Sequence, residues 1–318
     1  MLKELNQLAA KIETVEGTAE TLAGADAILV RSFSFKPNDQ MNKRPISSSS
    51  LSKYPAVPGL RSAAIEFDVE LRGSGSAGTA PEFGKLLKAC GFAETVVASP
   101  ASVTYLPTSL RGGTPVSVPT LTLGGYVDGI LKKIWGARGD VSLKLKVGEP
   151  GLLHFAFTGA DYSVTDEAML SSGLSFQTTI PPIFANATFG IGGYSPSMNA
   201  MLENLEFKLN NKVTLRPSAH YSSGHLSAQI TDRDPSMSFD PEMVPVATHD
   251  FYGILRAGTE AALSLVLGSV AGNIITITAP KVQYGPINPG DRNGIETLGI
   301  DCQLNRNAGD DELSIALT

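Results

Sequence analysis

From Ala64 to Leu71, apolar and acidic residues alternate without a break. Ile65, Phe67, Val69 and Leu71 fall on one side, and Glu66, Asp68 and Glu70 on the other. A period of two predicts a strand with one face on a core and one in water. Ala27 to Phe35 reads as another strand, as do Leu121 to Trp135, Ala137 to Val147 and Leu152 to Thr158. Helical spacing is rare. Leu2, Leu5, Leu8, Ala9 and Ile12 recur at helical intervals and predict a short helix or an extended arm before Gly17. Thr79 and Glu82 have capping-box spacing with Pro81 between them, predicting a helix that stops at Gly91. His249 to Ala257 predicts a second helix, stopped by Gly258. Strands dominate and turn residues punctuate them closely. The fold class is therefore mainly β, a sandwich or barrel pattern with one flanking α-helix per domain.

The pattern occurs twice. Displaced by 172 positions, Phe35-Lys36-x-Asn38 falls on Phe207-Lys208-x-Asn210, Arg44-Pro45 on Arg216-Pro217, and Arg61 on Arg233. Phe67-Asp68-x-Glu70 falls on Phe239-Asp240-x-Glu242. Eleven of the thirty-six positions from Phe35 to Glu70 are identical without a gap. The offset then shortens by four, and Leu86-Leu87-Lys88-Ala89 meets Ile254-Leu255-Arg256-Ala257. A period of a whole domain predicts a tandem duplication rather than a solenoid. The expected layout is an arm over 1–26, a first domain over 27–160, an ordered linker over 161–194 and a second domain over 195–318. Each copy carries a long polar segment of equal length, Lys36 to Arg61 and Lys208 to Arg233, read here as loops kept for a purpose.

Composition narrows the function. The chain has 318 residues, enough for two cores, and a formal net charge of -6, which argues against gripping nucleic acid phosphates. Two cysteines, Cys90 and Cys302, stand at non-equivalent places and suit a reducing compartment. Met1 to Ala10 lacks the apolar core of a signal peptide, and no apolar run is long enough for a membrane span.

Candidate chemistry is sparse. Gly73-x-Gly75-x-x-Gly78 has dinucleotide-binding spacing between a strand and a helix. Against it, the preceding strand alternates instead of being apolar throughout, Pro81 separates the glycines from the helix, and the second copy has Met243 to Ala247 there. His220 and His225 share a polar segment whose first copy has Ser48 and Lys53, so a solvated loop is the better reading. Asp232-Arg233-Asp234 precedes Pro235 and reads as a turn. No catalytic, metal or cofactor site assembles. Three classes stand at this point: a structural self-assembling protein, a β-sandwich binding module such as an adhesin or receptor-binding protein, and a dinucleotide-binding enzyme resting on the glycines alone.

Several stretches, in order, carry a resemblance: Lys11-Ile12-Glu13 with Gly17-Thr18, Gly73 to Pro81, Leu86 to Phe92, Gly136-Ala137-Arg138-Gly139, Phe157-Thr158-Gly159 and Phe239-Asp240-Pro241-Glu242. Together they resemble the major tail tube proteins of bacteriophages with long non-contractile tails, over almost the whole chain. The resemblance implies a small β-sandwich or barrel with a flanking helix, self-assembly into stacked rings around a tape-measure protein, and a lumen through which genomic DNA leaves the virion. It also implies tail terminator and distal tail proteins as partners, no membrane, and assembly in the host cytoplasm. The family commonly builds hexameric rings from single-domain subunits. Two domains per chain favour a trimer with pseudo-sixfold symmetry.

Two site expectations follow. Glu66, Asp68, Glu70, Asp240 and Glu242 are expected to face the lumen, where an acidic or neutral wall lets DNA slide. The polar segments, with Lys36, Asn38, Asp39, Lys43, Arg44, Lys53, Lys208, Asn210, Lys212 and Arg216, are expected to pack against the adjacent ring.

Overall fold

The N-terminal apolar run forms a strand, β1 (Asn6–Ile12), and not the helix that its spacing allowed. Leu8, Ala9 and Ala10 are all fully buried because β1 has a neighbour on each edge and is covered on both faces. A strand buried on both faces loses the two-residue period, so its apolar spacing imitates a helix. The computed structural model describes residues 2–111, 114–194 and 201–318. The expected start of the second domain, residues 195–200, lies outside the described residues.

After β2 (Ala27–Ile28) come β3 (Phe33–Asn42) and β4 (Val57–Glu70), paired antiparallel from Phe33↔Phe67 to Asn42↔Val57. Much of the expected Lys36–Arg61 loop is thus a projecting β-hairpin, with only residues 43–56 outside the strands. Beyond Phe35 every residue of β3 is exposed, so no apolar alternation announces the strand. The alternation in β4 holds: Ile65, Phe67, Val69 and the following Leu71 are buried.

A helix, α1 (Gly84–Ala89), follows, without the capping box expected from Thr79 and Glu82. The Glu82 carboxylate instead accepts from Leu29 N–H at 3.1 Å and pairs with Arg72. Next come a hairpin of β5 (Phe92–Ala98) and β6 (Ala101–Pro107) and a short ribbon of β7 (Leu110–Arg111) and β8 (Thr114–Pro115). β9 (Leu121–Val127) turns at Asp128-Gly129 into β10 (Ile130–Lys146), seventeen residues long. Both turn residues have positive φ, as a two-residue hairpin requires. The break thus falls earlier than the expected one before Ala137. Gly136 is instead a bulge that bends β10 between two sheets. β11 (Leu152–Gly159) and β12 (Asp161–Asp166) complete the first half.

The second half keeps the main part of this order, with no counterpart of β2 or of β5 to β8 among its described residues. It contains β13 (Thr188–Ile191), β14 (Asn204–Lys208), β15 (Asn211–Pro217), β16 (His225–Arg233), β17 (Ser236–Phe239), α2 (Phe251–Ala257), β18 (Glu260–Leu267), β19 (Ile275–Arg292), β20 (Ile295–Asn305) and β21 (Ser314–Leu317). Asp250 caps α2, accepting from Gly253 N–H at 2.7 Å.

Strand registers repeat as well. Phe35↔Ile65 and Asp39↔Arg61 correspond to Phe207↔Met237 and Asn211↔Arg233, displaced by 172 in both partners. Leu123↔Ile134 corresponds to Leu263↔Ala279, and Phe67↔Phe155 to Phe239↔Ile300. Ala10↔Leu123 corresponds to Ile191↔Leu263, so β13 is the counterpart of β1 although the two share no sequence. The β5–β6 hairpin joins the halves by pairing with β21.

The halves meet edge to edge. The last part of β10 pairs with β14, from Ser142↔Lys208 to Lys146↔Asn204. One sheet therefore runs β3-β4-β11-β10-β14-β17-β20-β19 across the whole molecule. Its inner face carries Phe67, Phe155 and Phe157, stacked at 5.6 to 6.0 Å, and Leu143, Leu145, Leu205 and Phe207.

Candidate assembly interface

The outer face of the eight-stranded sheet collects the polar positions of its strands. Glu66, Asp68 and Glu70 lie there on β4, and each has a basic partner from another segment. Lys36 Nζ is 3.4 Å from Glu66, His154 Nδ1 2.7 Å from Asp68, and Arg31 Nη2 3.4 Å from Glu70. Lys144 approaches Glu206 across the junction at 3.6 Å, and Lys208 approaches it along β14 at 2.9 Å. A shallow cleft of about 560 Å³ on this face is lined by Lys144, Lys146, Glu206, Asp240 and Asp301 among others. This face thus sets its carboxylates beside basic side chains rather than in a bare row. Lys144, Lys146 and Glu206 were absent from the sequence expectation. The Ser-Leu-Lys-Leu-Lys alternation at 142–146 was the available signal.

Asp240 and Glu242 occupy one end of this sheet. Asp240 accepts from the backbone N–H groups of Glu203 and Asn204 at 2.8 and 2.7 Å and from Asn204 Nδ2, and lies 2.8 Å from Arg292 Nη2. Glu242 is 3.7 Å from the same guanidinium. Asp240 therefore anchors the chain entering β14, a role its counterpart Asp68 does not share.

The two polar segments have different surroundings. In the first, Asn38 Nδ2 donates to Ser62 Oγ at 3.4 Å, and Asp39 accepts from the Tyr162 hydroxyl at 2.6 Å. Lys43, Arg44 and Lys53 stand exposed on the turn, beside Ile46, Leu51 and Tyr54, which are exposed as well. The second segment is folded back on the first half. Asn210 takes positive φ and donates to Asp234 O and Ser236 Oγ, both at 2.9 Å. Lys212 O accepts from the Thr231 hydroxyl, and Arg216 reaches Glu16 at 3.4 Å. Asn211 Nδ2 donates to Cys90 O and Gly139 O.

Arg138 is the centre of this docking. It is buried, and its guanidinium donates to Val118 O, Ala228 O and Gln229 Oε1 and pairs with Glu16 at 3.1 Å. Burial pushes its pKa down, opposed by Glu16. Burial also raises the Glu16 pKa, but the Ser227 hydroxyl, Arg138 and Arg216 outweigh it, leaving the carboxyl below its ordinary value. Beside them, buried Glu13 accepts from Thr120 Oγ1 at 2.6 Å, Gly136 N–H at 2.7 Å and Gly17 N–H at 2.8 Å. Gly136 has φ +61°, which other residues rarely adopt, and a Cβ there would crowd Ala160 Cβ at 3.0 Å and Leu226 O of the second hairpin at 3.2 Å. The sequence stretches 11–18 and 136–139 thus meet in space to receive the second half.

Gly73 and Gly75 also touch the second half, at a different place, whereas Gly78 packs on Val97 and Ala101 of the first half. Gly73 N–H donates to Asn273 Oδ1 at 2.7 Å, Gly75 N–H donates to Gly272 O at 3.0 Å, and a Cβ on Gly73 would overlap Gly272 O. Contact with the β18–β19 turn accounts for the glycine at 73. Among the described residues, no group of three or more His, Cys, Asp or Glu is placed to hold a metal, and no helix is long and apolar enough to cross a membrane.

Two equivalent β halves sharing one sheet, with polar residues on one face and a helix on each half, invite comparison with known families. A family model described as phage tail tube protein matches residues 4–304. The chain belongs to the phage tail tube protein family. No curated protein matches it. As a member of a structural virion family, this tail tube protein is expected to act through contacts with other tail subunits, which gives the exposed edges and the projecting hairpin their interest.

Proposed function

We propose that three copies of this tail tube protein close a ring of six similar halves, and that stacked rings form the hollow conduit through which DNA passes into the host. The observation that carries this reading is the β10–β14 ladder: one half already joins its equivalent edge to edge, and the same joint repeated between chains generates a ring. The outer face of the continuous sheet is assigned to the lumen, with Glu66, Asp68, Glu70, Lys36, Lys144 and Glu206 on its wall. Paired charges there leave no cationic stripe to hold phosphates, and local fields fade over about 8 Å at physiological salt. The turn over 43–56 is assigned to contact between stacked rings, since it carries exposed apolar and basic side chains outside any strand. The lumen also accommodates a tape-measure protein during assembly, and the ends of the tube meet terminator and distal tail proteins. Light scattering of the concentrated protein tests the ring. A mass three times the 33.4 kDa chain supports it, and a mass six times the chain would replace it with a hexamer.

A further inference from the structure

The internal ladder has an unused copy at each end of the sheet. Among the described residues, β3 pairs with β4 alone, and the last part of β19 pairs with β20 alone. β3 is the counterpart of β14, and residues 287–290 are the counterpart of residues 141–144 in β10. The second equivalence follows from the neighbouring strand: Val141↔Phe155 and Lys144↔Leu152 correspond to Ile287↔Ile300 and Gly290↔Thr297.

Hydrogen-bond direction agrees. Leu298 and Leu304 donate to Pro241 O and Pro235 O, so even residues of β20 face β17 and odd ones face β19. Asn288 and Gly290 therefore bond inward to Gly299 and Thr297, and Ile287 and Pro289 point out at the rim. On β4, Leu71 N–H donates to Gly151 O and Arg61 N–H to Ser223 O, so odd residues turn away from β3. Ser34 and Lys36 then bond inward to β4, leaving Phe33, Phe35 and Pro37 at the rim. Pro37 and Pro289 each place their missing N–H on an open edge, where it breaks no bond within the chain and discourages indiscriminate pairing.

The side chains show the same vacancy. Leu205 and Phe207 are 1% and 2% exposed where β10 covers them, whereas Phe33 and Phe35 are only half-buried. Val141 and Leu143 are buried, whereas Ile287 is half-buried and Pro289 exposed.

We propose that β3 of one chain pairs antiparallel with β19 of a second copy in the register of the internal ladder, setting Pro37 opposite Ile287, Lys36 opposite Asn288, Phe35 opposite Pro289 and Ser34 opposite Gly290. This rests on the ring reading above and adds the joint that closes the ring. Ile287 N–H donates to Pro37 O, and Phe35 N–H donates to Pro289 O. Phe33 and Phe35 become covered as Leu205 and Phe207 are. The ladder is short, because Asp291 replaces Leu145 and its carboxylate already accepts from Gly294 N–H in the following turn.

Lys36 and Asn288 form a non-hydrogen-bonded pair in this register, with Cα atoms about 4.5 Å apart, inside the range a disulfide bridges. The test uses the full chain carrying Lys36→Cys and Asn288→Cys, oxidised mildly at a concentration where particles are imaged. Native Cys90 and Cys302 are buried and supply no competing thiol. Ser142→Cys with Lys208→Cys is the internal standard, and Ser32→Cys with Asn288→Cys, displaced by four residues or about 13 Å, is the off-register control. Covalent trimers from the first pair, about tenfold above the off-register pair, are the expected result. Rings without cross-links at Lys36 and Asn288 would overturn the register while leaving the ring intact. Absence of rings with no cross-link would overturn both.

Discussion

Replacing Arg138 with alanine should release the second hairpin before the rest of the molecule. Among the described residues, β15 and β16 form a two-stranded ribbon paired with no other strand, and such ribbons are marginal alone. What holds this one is its docking on the first half, centred on a guanidinium that donates to Val118 O, Ala228 O and Gln229 Oε1 and pairs with Glu16. Removing one partner of a buried charged cluster costs about 3 to 5 kcal/mol. The lower end applies, because Glu16 keeps Ser227 Oγ at 2.6 Å and Arg216 at 3.4 Å. At roughly 0.7 kcal/mol per degree for a chain of this length, the midpoint of thermal unfolding should fall by about 4 to 5 °C. Hydrogen exchange should accelerate in Asn211–Pro217 and His225–Arg233 and stay unchanged in β4 and β11. A cost under about 1 kcal/mol, or loss of protection spread evenly over both halves, would refute the reasoning.

Four further outcomes follow. Asp240→Lys should destabilise the chain by about 2 to 4 kcal/mol in chemical unfolding, because two backbone N–H groups lose their acceptor beside Arg292, whereas Asp68→Lys, on a half-exposed site, should cost less than about 1 kcal/mol. Phage carrying Asp68→Lys should assemble tails of normal length and eject DNA more slowly, and unchanged ejection kinetics would remove Asp68 from the proposed wall. Replacing residues 43–56 by a tight turn should leave the monomer's circular dichroism and unfolding midpoint intact yet block tube growth, and normal tubes would reject the stacking role. Stability should drop on acidification: the folded Glu16 carboxyl lies below its ordinary value of 4.5, so its contribution is complete above pH 4.5 and disappears as pH falls through the folded value. Melting curves from pH 6 to pH 3 should show this drop, smaller in Glu16→Gln.

Much of the fold is legible in the chain. Ile65, Phe67, Val69 and Leu71 alternate because β4 has one wet face, and the pair Phe67-Asp68 recurs as Phe239-Asp240 because both halves need the same inward ring beside the same outward polar group. The misses have physical causes. β1 is covered on both faces and loses its period. The stem of the first hairpin is exposed on both faces and never acquires one. β13 replaces β1 with unrelated residues, because a strand is specified by its ladder and burial more than by identity. The acidic face is expected from Glu66, Asp68, Glu70, Asp240 and Glu242, while the basic partners of the β4 carboxylates, Arg31, Lys36 and His154, come from other segments and are brought within reach only by the fold. Asp68 and Asp240 match in sequence yet differ in surroundings, since only the second holds the chain entering a strand.

The most direct test of the central claim is imaging the tube in cross-section with subunit stoichiometry from averaged electron micrographs. Six similar lobes around an open pore, with true threefold symmetry and three chains per ring, are the predicted result. Six chains per ring, or particles without a pore, would contradict it.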